Sequence, residues 1–207
     1  AQRNDSDYQV STDIASELRV ATLAYLSIQQ EFNRMCKAVK AGHKPDIKRL
    51  DTYIEGLVDS IIRNPAAAVW LARLKSKSSY AHRHCISCAI LSSVMGRQLG
   101  LNIDELFQLA LSGLLMDIGK LNLSEALLRK TTDLTRAERA EARSHIQLGL
   151  ALLEDQPLPV EVLSAVRHHH ERFNGLLCYR AESQAGHLNM STTTNRRSSA
   201  SRRSACI

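Results

Sequence analysis

Turn-forming and aromatic residues are scarce in this chain: nine glycines and four prolines stand among 207 residues, and aromatics make up only 4%. Strand-rich folds need frequent tight turns and aromatic or β-branched strand faces, so the scarcity argues against a sandwich or barrel and for an all-α fold. No apolar run approaches the roughly 18 residues of a membrane span, and no membrane association is expected. Residues 1–8 are polar and acidic, without the basic and then apolar order of a signal peptide, which predicts a cytoplasmic protein. An initiator Met is also missing, from which the chain is expected to begin inside a longer protein.

Cysteine pairs are lacking too. The five cysteines, at 36, 85, 88, 178 and 206, are odd in number and irregularly spaced, which speaks against a disulfide framework and for a reducing compartment. Cys85 and Cys88 form a CxxC, the spacing of a redox pair or of half a zinc site. Without a second CxxC or a neighbouring βαβ pattern, two small thiols packed in a helix are the better reading. Charge of one sign is confined to the end of the chain. The net charge is +6, yet from residue 176 onward five arginines (180, 196, 197, 202, 203) face only Glu182, while the rest of the chain mixes 22 basic with 20 acidic residues. A mixed surface of that kind gives no clustered phosphate contacts, and no nucleic-acid partner is expected. Internal repeats and a glycine-rich phosphate loop are absent as well.

What the sequence does contain is helical periodicity. Ser11, Thr12 and Asp13 offer N-caps to a helix over 14–39, in which Ile14, Leu18, Ala21, Tyr25, Ile28 and Phe32 recur three and four apart. Pro45 opens a second helix carrying Ile47, Leu50, Ile54, Leu57, Val58 and Ile61. Asn64 and Pro65 break it before a short third helix with Trp70, Leu71 and Leu74. A fourth helix is predicted over 79–99, and a fifth from Asn102 or Asp104 to near Gly119. A loop and short helix follow over 121–130. Thr135 and Glu138 form a capping box that opens one long helix to about Glu154, and a last helix runs over 160–170. Beyond Gly175 the pattern fails: over 191–207, thirteen of seventeen residues are Ser, Thr, Asn or Arg, which predicts a disordered tail over 176–207.

The histidines carry the chemistry. His84 falls in the fourth helix, Asp117 at the end of the fifth, His145 in the long helix, and His168, His169 and His170 close the last one. Imidazoles and a carboxylate projecting from several helix ends can converge on divalent cations, an arrangement suited to hydrolysing a phosphate ester. A single His on a helix is more often a satisfied surface or core residue, and Asp117 can instead be a helix-terminal turn residue. In that place an acid opposes the helix dipole and needs a compensating partner.

The spacing of these residues resembles one family. His84, then Asp117-Ile118-Gly119-Lys120, then His145, then His169-His170-Glu171-Arg172 ahead of Asn174-Gly175 is similar to the HD-GYP domain, a bacterial branch of the HD metal-dependent phosphohydrolases. Further matching segments are Ser60 to Pro65, Trp70 to Lys75, Tyr80 to His84 and Leu134-Thr135. The likeness covers about 50–175, an incomplete HD-GYP-like domain, and 1–49 resembles the helical end of an upstream domain. It implies an HD-type helical bundle that opens cyclic di-GMP. The implied metal ligands are His84, Asp117 as the bridging carboxylate, His145, His169 and His170. Asp117 and Lys120 would serve catalysis, and Lys120 and Arg172 would face phosphate oxygens.

Three departures bear on activity. The family's His-Asp pair is Met116-Asp117 here, and a thioether is a soft, weak donor for a hard cation. Tyr80 stands where members with a third metal carry Glu. The Asp-Gly-x-Gly-Tyr-Pro signature becomes Asn174 to Arg180, and the tail, which has the look of a frameshifted end, holds no Asp. The expectation is at most one retained divalent metal, iron or manganese, and weak or absent turnover. Two alternatives stay open: an HD-class hydrolase acting on another phosphate ester, or a non-catalytic helical module with a signalling-protein partner.

Overall fold

The computed structural model describes residues 8–73 and 80–171, and the chain divides into two compact units, Ala1–His169 and His170–Ile207. Among the described residues the regular elements of the first unit are all helical. They are α1 (Ile14–Lys40), α2 (Asp51–Arg63), α3 (Pro65–Ala72), α4 (Tyr80–Gln98), α5 (Ile103–Leu115), α6 (Glu125–Leu128), α7 (Arg136–Arg143), α8 (His145–Leu153) and α9 (Val160–His168). Short 3₁₀ turns occupy Ile47–Leu50 and Ile118–Asn122. Within the described residues no helix is long and apolar enough to cross a membrane. Of the second unit only His170 and Glu171 are described, so the expected disorder of 176–207, the altered signature at 174–180 and Arg172 lie outside the described residues.

Local chemistry sets most of the boundaries. Asp13 Oδ1 accepts from the Ala15 and Ser16 amides at 3.0 Å, which caps α1. The chain turns after α1 at Gly42, whose φ of +86° suits glycine. Asn64 ends α2 and starts α3: its Oδ1 accepts from the Ala66 amide, its Nδ2 donates to Thr12 O, and Pro65 takes the first helical position. Capping boxes open α5 at Asn102 and Glu105 and α7 at Thr135 and Glu138.

Expected helix bounds are corrected in two places here. The long helix predicted from Thr135 to about Glu154 is two helices, broken at Ser144. Both the Ser144 hydroxyl and its amide donate to Glu141 O, at 2.7 and 3.0 Å, a local side-chain bond that competes with helix continuation. Likewise, the fifth helix stops at Leu115, short of Gly119, and the chain tightens into the 3₁₀ turn that follows Asp117.

The core runs through Ile28, Phe32, Leu50, Ile54, Leu57, Ile61, Ile86, Ile90, Leu106 and Leu114, all essentially inaccessible. It joins α1 to α2 and α3, α4 to α5, and α5 to α9, so α1 shares one core with the helices that follow. Two close approaches need glycine. A Cβ at Gly113 would lie 2.5 Å from the Ala89 amide, where α5 crosses α4. At Gly119 it would lie 1.8 Å from His145 O, where the 3₁₀ turn presses on the start of α8. The second contact brings Asp117 up against His145.

Candidate metal centre

Asp117 follows the C-terminus of α5, and its side chain is 5% exposed. Its two oxygens meet different surroundings. Oδ2 accepts from the Lys120 ammonium at 2.9 Å, the compensating cation that an acid at this helix end requires. Oδ1 is buried and has no hydrogen-bond partner among the described residues. Burial by itself would raise the Asp117 carboxyl, but the imidazole of His169 and the ammonium of Lys120 outweigh it and hold the group well below the usual carboxylate range. It is therefore an anion at neutral pH.

The groups facing Oδ1 are two imidazoles brought in by helix ends. His145 Nε2 lies 3.6 Å away and His169 Nε2 3.5 Å away, and these nitrogens are 3.2 Å from each other. The opposite ring nitrogens are anchored. His145 Nδ1 donates to Ala142 O at 2.6 Å, and His169 Nδ1 donates to Val166 O at 3.0 Å. A carbonyl can only accept, so each Nδ1 carries a hydrogen and each ring turns its Nε2 toward Asp117. Both carbonyls belong to the last turns of α7 and α9, where helices leave acceptors unmatched. The break at Ser144 thus creates the acceptor that orients His145. Burial lowers the His145 pKa and favours its neutral, ligating form.

Two ring nitrogens and a carboxylate oxygen, all possible ligand atoms, thus gather in one place. Ligand bonds of about 2.1 Å at tetrahedral to octahedral angles separate neighbouring donors by about 3.0–3.4 Å. The observed separations of 3.2, 3.5 and 3.6 Å therefore suit a divalent cation, and the anchored second nitrogens are the usual support for histidine ligands. Asp117, His145 and His169 fit such an ion.

Of the remaining sequence-derived residues, His84 and Lys120 lie against Asp117. His84 lies on α4 with its Nε2 3.8 Å from Asp117 Oδ2, and its side chain is 43% exposed. Lys120 is engaged with Asp117, and Met116 is half-buried at the end of α5. His168 is exposed, while His170 begins the second unit. The sequence leads one to expect a packed thiol at Cys88. It is half-buried, and its Sγ lies 3.7 Å from His84 Nε2. The signal for that neighbour was the four-residue spacing between His84 and Cys88. Cys85, by contrast, is buried, and burial pushes its thiol pKa far up.

Comparison with known proteins adds independent findings. The family described as HD domain matches residues 66–176. A cyclic di-GMP phosphodiesterase of Pseudomonas aeruginosa is 29% identical over 163 residues, 78% of this chain and 39% of that protein. The cyclic di-GMP phosphodiesterase response regulator RpfG of Xanthomonas campestris pv. campestris is 31% identical over 153 residues, 72% of this chain and 35% of its own. Ribonuclease Y of Thermus thermophilus is 31% identical over 118 residues, 56% of this chain and 17% of its own. The chain spans well under half the length of these relatives. No solved structure matches it.

Proposed function

The chain belongs to the HD domain family, and on that premise we propose that it is a degenerate HD-GYP domain: a cytoplasmic signalling module that binds cyclic di-GMP or a related phosphodiester and hydrolyses it weakly or not at all. One divalent cation, iron or manganese, is held by Asp117, His145 and His169, with His170 offered by the sequence as a further donor. The observation that carries this is Asp117 Oδ1, buried without a hydrogen bond and met by two Nε2 atoms at 3.5 and 3.6 Å.

When bound, such an ion supplies Lewis acidity toward a phosphate oxygen and a more acidic water. The chain's own residues do the rest. Ala142 O and Val166 O keep the two imidazoles in the ligating tautomer. Lys120 holds Asp117 by Oδ2, which directs Oδ1 at the imidazoles. Its ammonium, together with Arg172, is the charge assigned to phosphate oxygens, and hydrolysis would add one water across one P–O bond of the ring. Weak turnover follows from Met116: a thioether stands where the second hard cation would find an imidazole, and losing a positioned cation forfeits several kcal/mol of transition-state stabilisation.

The test is metal content and turnover of the purified chain. After loading with manganese(II), one ion per chain is expected, with cyclic di-GMP opened orders of magnitude more slowly than by an intact two-metal enzyme. Two tightly held manganese ions with ordinary turnover would overturn the degenerate reading. No bound manganese at all would overturn the metal centre.

A further inference from the structure

Helix α4 has an apolar row that the described residues leave open. Leu91, Met95 and Leu99 on α4, and Ile103 just past the turn into α5, are all between 51 and 67% exposed. A spacing of four residues puts the first three on one side of the helix, in a row about 12 Å long. Between His84 and Ile103 the one Lys, Arg, Asp or Glu is Arg97. It is turned inward, 6% exposed, with its guanidinium donating to Ile62 O and Tyr8 O. We infer that this row is a self-association surface, on which a second copy of the chain docks its own α4 antiparallel about a twofold axis beside Met95. The contact is independent of the metal centre and needs no ion.

Charge selects a second copy as the occupant. A twofold contact brings each residue near the axis against its own twin, so a charge there would repel itself, and the row carries none. Its two ends, however, differ in sign. Arg83 precedes the row on α4, while Asp104 and Glu105, both exposed, follow it at the start of α5. Antiparallel pairing sets the basic end of one copy toward the acidic end of the other, whereas parallel pairing would set like against like.

The available area sets the strength. The four side chains offer roughly 400 Å² of apolar surface per copy, about half of what each partner of a standard stable interface buries. With the polar residues around them contributing a rim, that area suits a reversible dimer rather than a permanent one. Antiparallel pairing lays Leu91 of each copy against Leu99 of the other and leaves Met95 beside Met95, where an unbranched thioether adapts its rotamers to its twin.

Sedimentation velocity of the purified chain is the test. The mass should pass from monomer to dimer between about 1 and 100 μM, the range of a reversible contact, and stop there. Met95→Glu places two carboxylates at the axis and should weaken dimerisation at least tenfold, with the melting temperature of the dilute chain unchanged. Leu23→Glu, at an equally open leucine on α1, should dimerise like the parent. Mixing Met95→Glu with Met95→Lys should restore a dimer, because opposite charges then meet across the axis. A parent chain that stays monomeric at 100 μM overturns the proposal, as does growth past the dimer without a plateau. So does a Met95→Glu chain that dimerises like the parent, a Leu23→Glu chain that does not, or a mixture that stays monomeric. A lower melting temperature of dilute Met95→Glu shows the row covered within one chain and overturns it too.

Discussion

Two buried carboxylates in this protein lead opposite lives. Glu17, 1% exposed on α1, has both oxygens fully occupied. Oε1 accepts from the Ser60 hydroxyl at 2.7 Å and Arg63 Nη2 at 2.9 Å, while Oε2 accepts from Arg63 Nε at 2.9 Å and the Thr12 hydroxyl at 3.0 Å. Asp117, 6% exposed, has one oxygen on Lys120 and one without a hydrogen bond. Burial alone would raise both carboxyls. Arg63, Ser60 and Thr12 lower Glu17, and His169 and Lys120 lower Asp117. The first group is complete and clips α1 to α2. The second is stable as an anion yet electrostatically unfinished, which marks it as a site rather than a strut.

Replacing Glu17 tests the structural half most severely. In Glu17→Ala the guanidinium of Arg63 and the hydroxyl of Ser60 lose their acceptor, and the chain should lose roughly 3 kcal/mol of stability by urea unfolding. Manganese stoichiometry should hold. A loss of metal without a loss of stability would erase the contrast. Asp117→Asn should do the reverse. Its manganese affinity should fall about 100-fold or more, whereas the metal-free chain should lose less stability than in Glu17→Ala, because the Asn oxygen can still accept from Lys120. Equal destabilisation of the metal-free chain would make Asp117 a second strut.

Met116→His sharpens the comparison on the site side. It restores an imidazole next to Asp117 and should raise affinity for a second manganese ion about tenfold by calorimetric titration. No gain would detach position 116 from the metal centre. The smallest effect concerns His82, whose Nδ1 donates to Asn33 Oδ1 and whose ring packs edge-on to Phe32. Burial, and secondarily Lys40, lower its pKa from the ordinary 6.5, so the folded state binds its proton less readily than the unfolded state. That stability is complete above pH 6.5 and declines as the pH falls below it. Melting temperature should drop between about pH 7 and pH 5, less steeply in His82→Gln than in the parent chain. An identical slope would remove His82 from the account.

Much of the helical layout was legible because the causes are local. The first helix, expected over 14–39, is Ile14–Lys40, and both capping boxes sit at residues that advertise them. The break at Ser144 was not legible, since no glycine or proline marks it; the competing hydrogen bonds to Glu141 O show only once the turn is built. Gly119 looked like a helix terminus, whereas its use is to let the chain approach His145 O. Cys88 fell into a CxxC that drew attention to the wrong partner, because proximity to His84 depends on helix phase rather than on the pair of thiols.

From residue types and spacing alone came an all-helical chain, its caps, and a shortlist of imidazoles and one aspartate with a thioether beside it. Periodicity and capping act within a few residues, so they can be read without a fold. The tertiary structure decided which oxygen of Asp117 faces which nitrogen, which tautomer each imidazole adopts, and that Lys120 serves the carboxylate from within. Those outcomes depend on where α5, α7, α8 and α9 end against one another, and burial then sets the cost of leaving an oxygen unmatched.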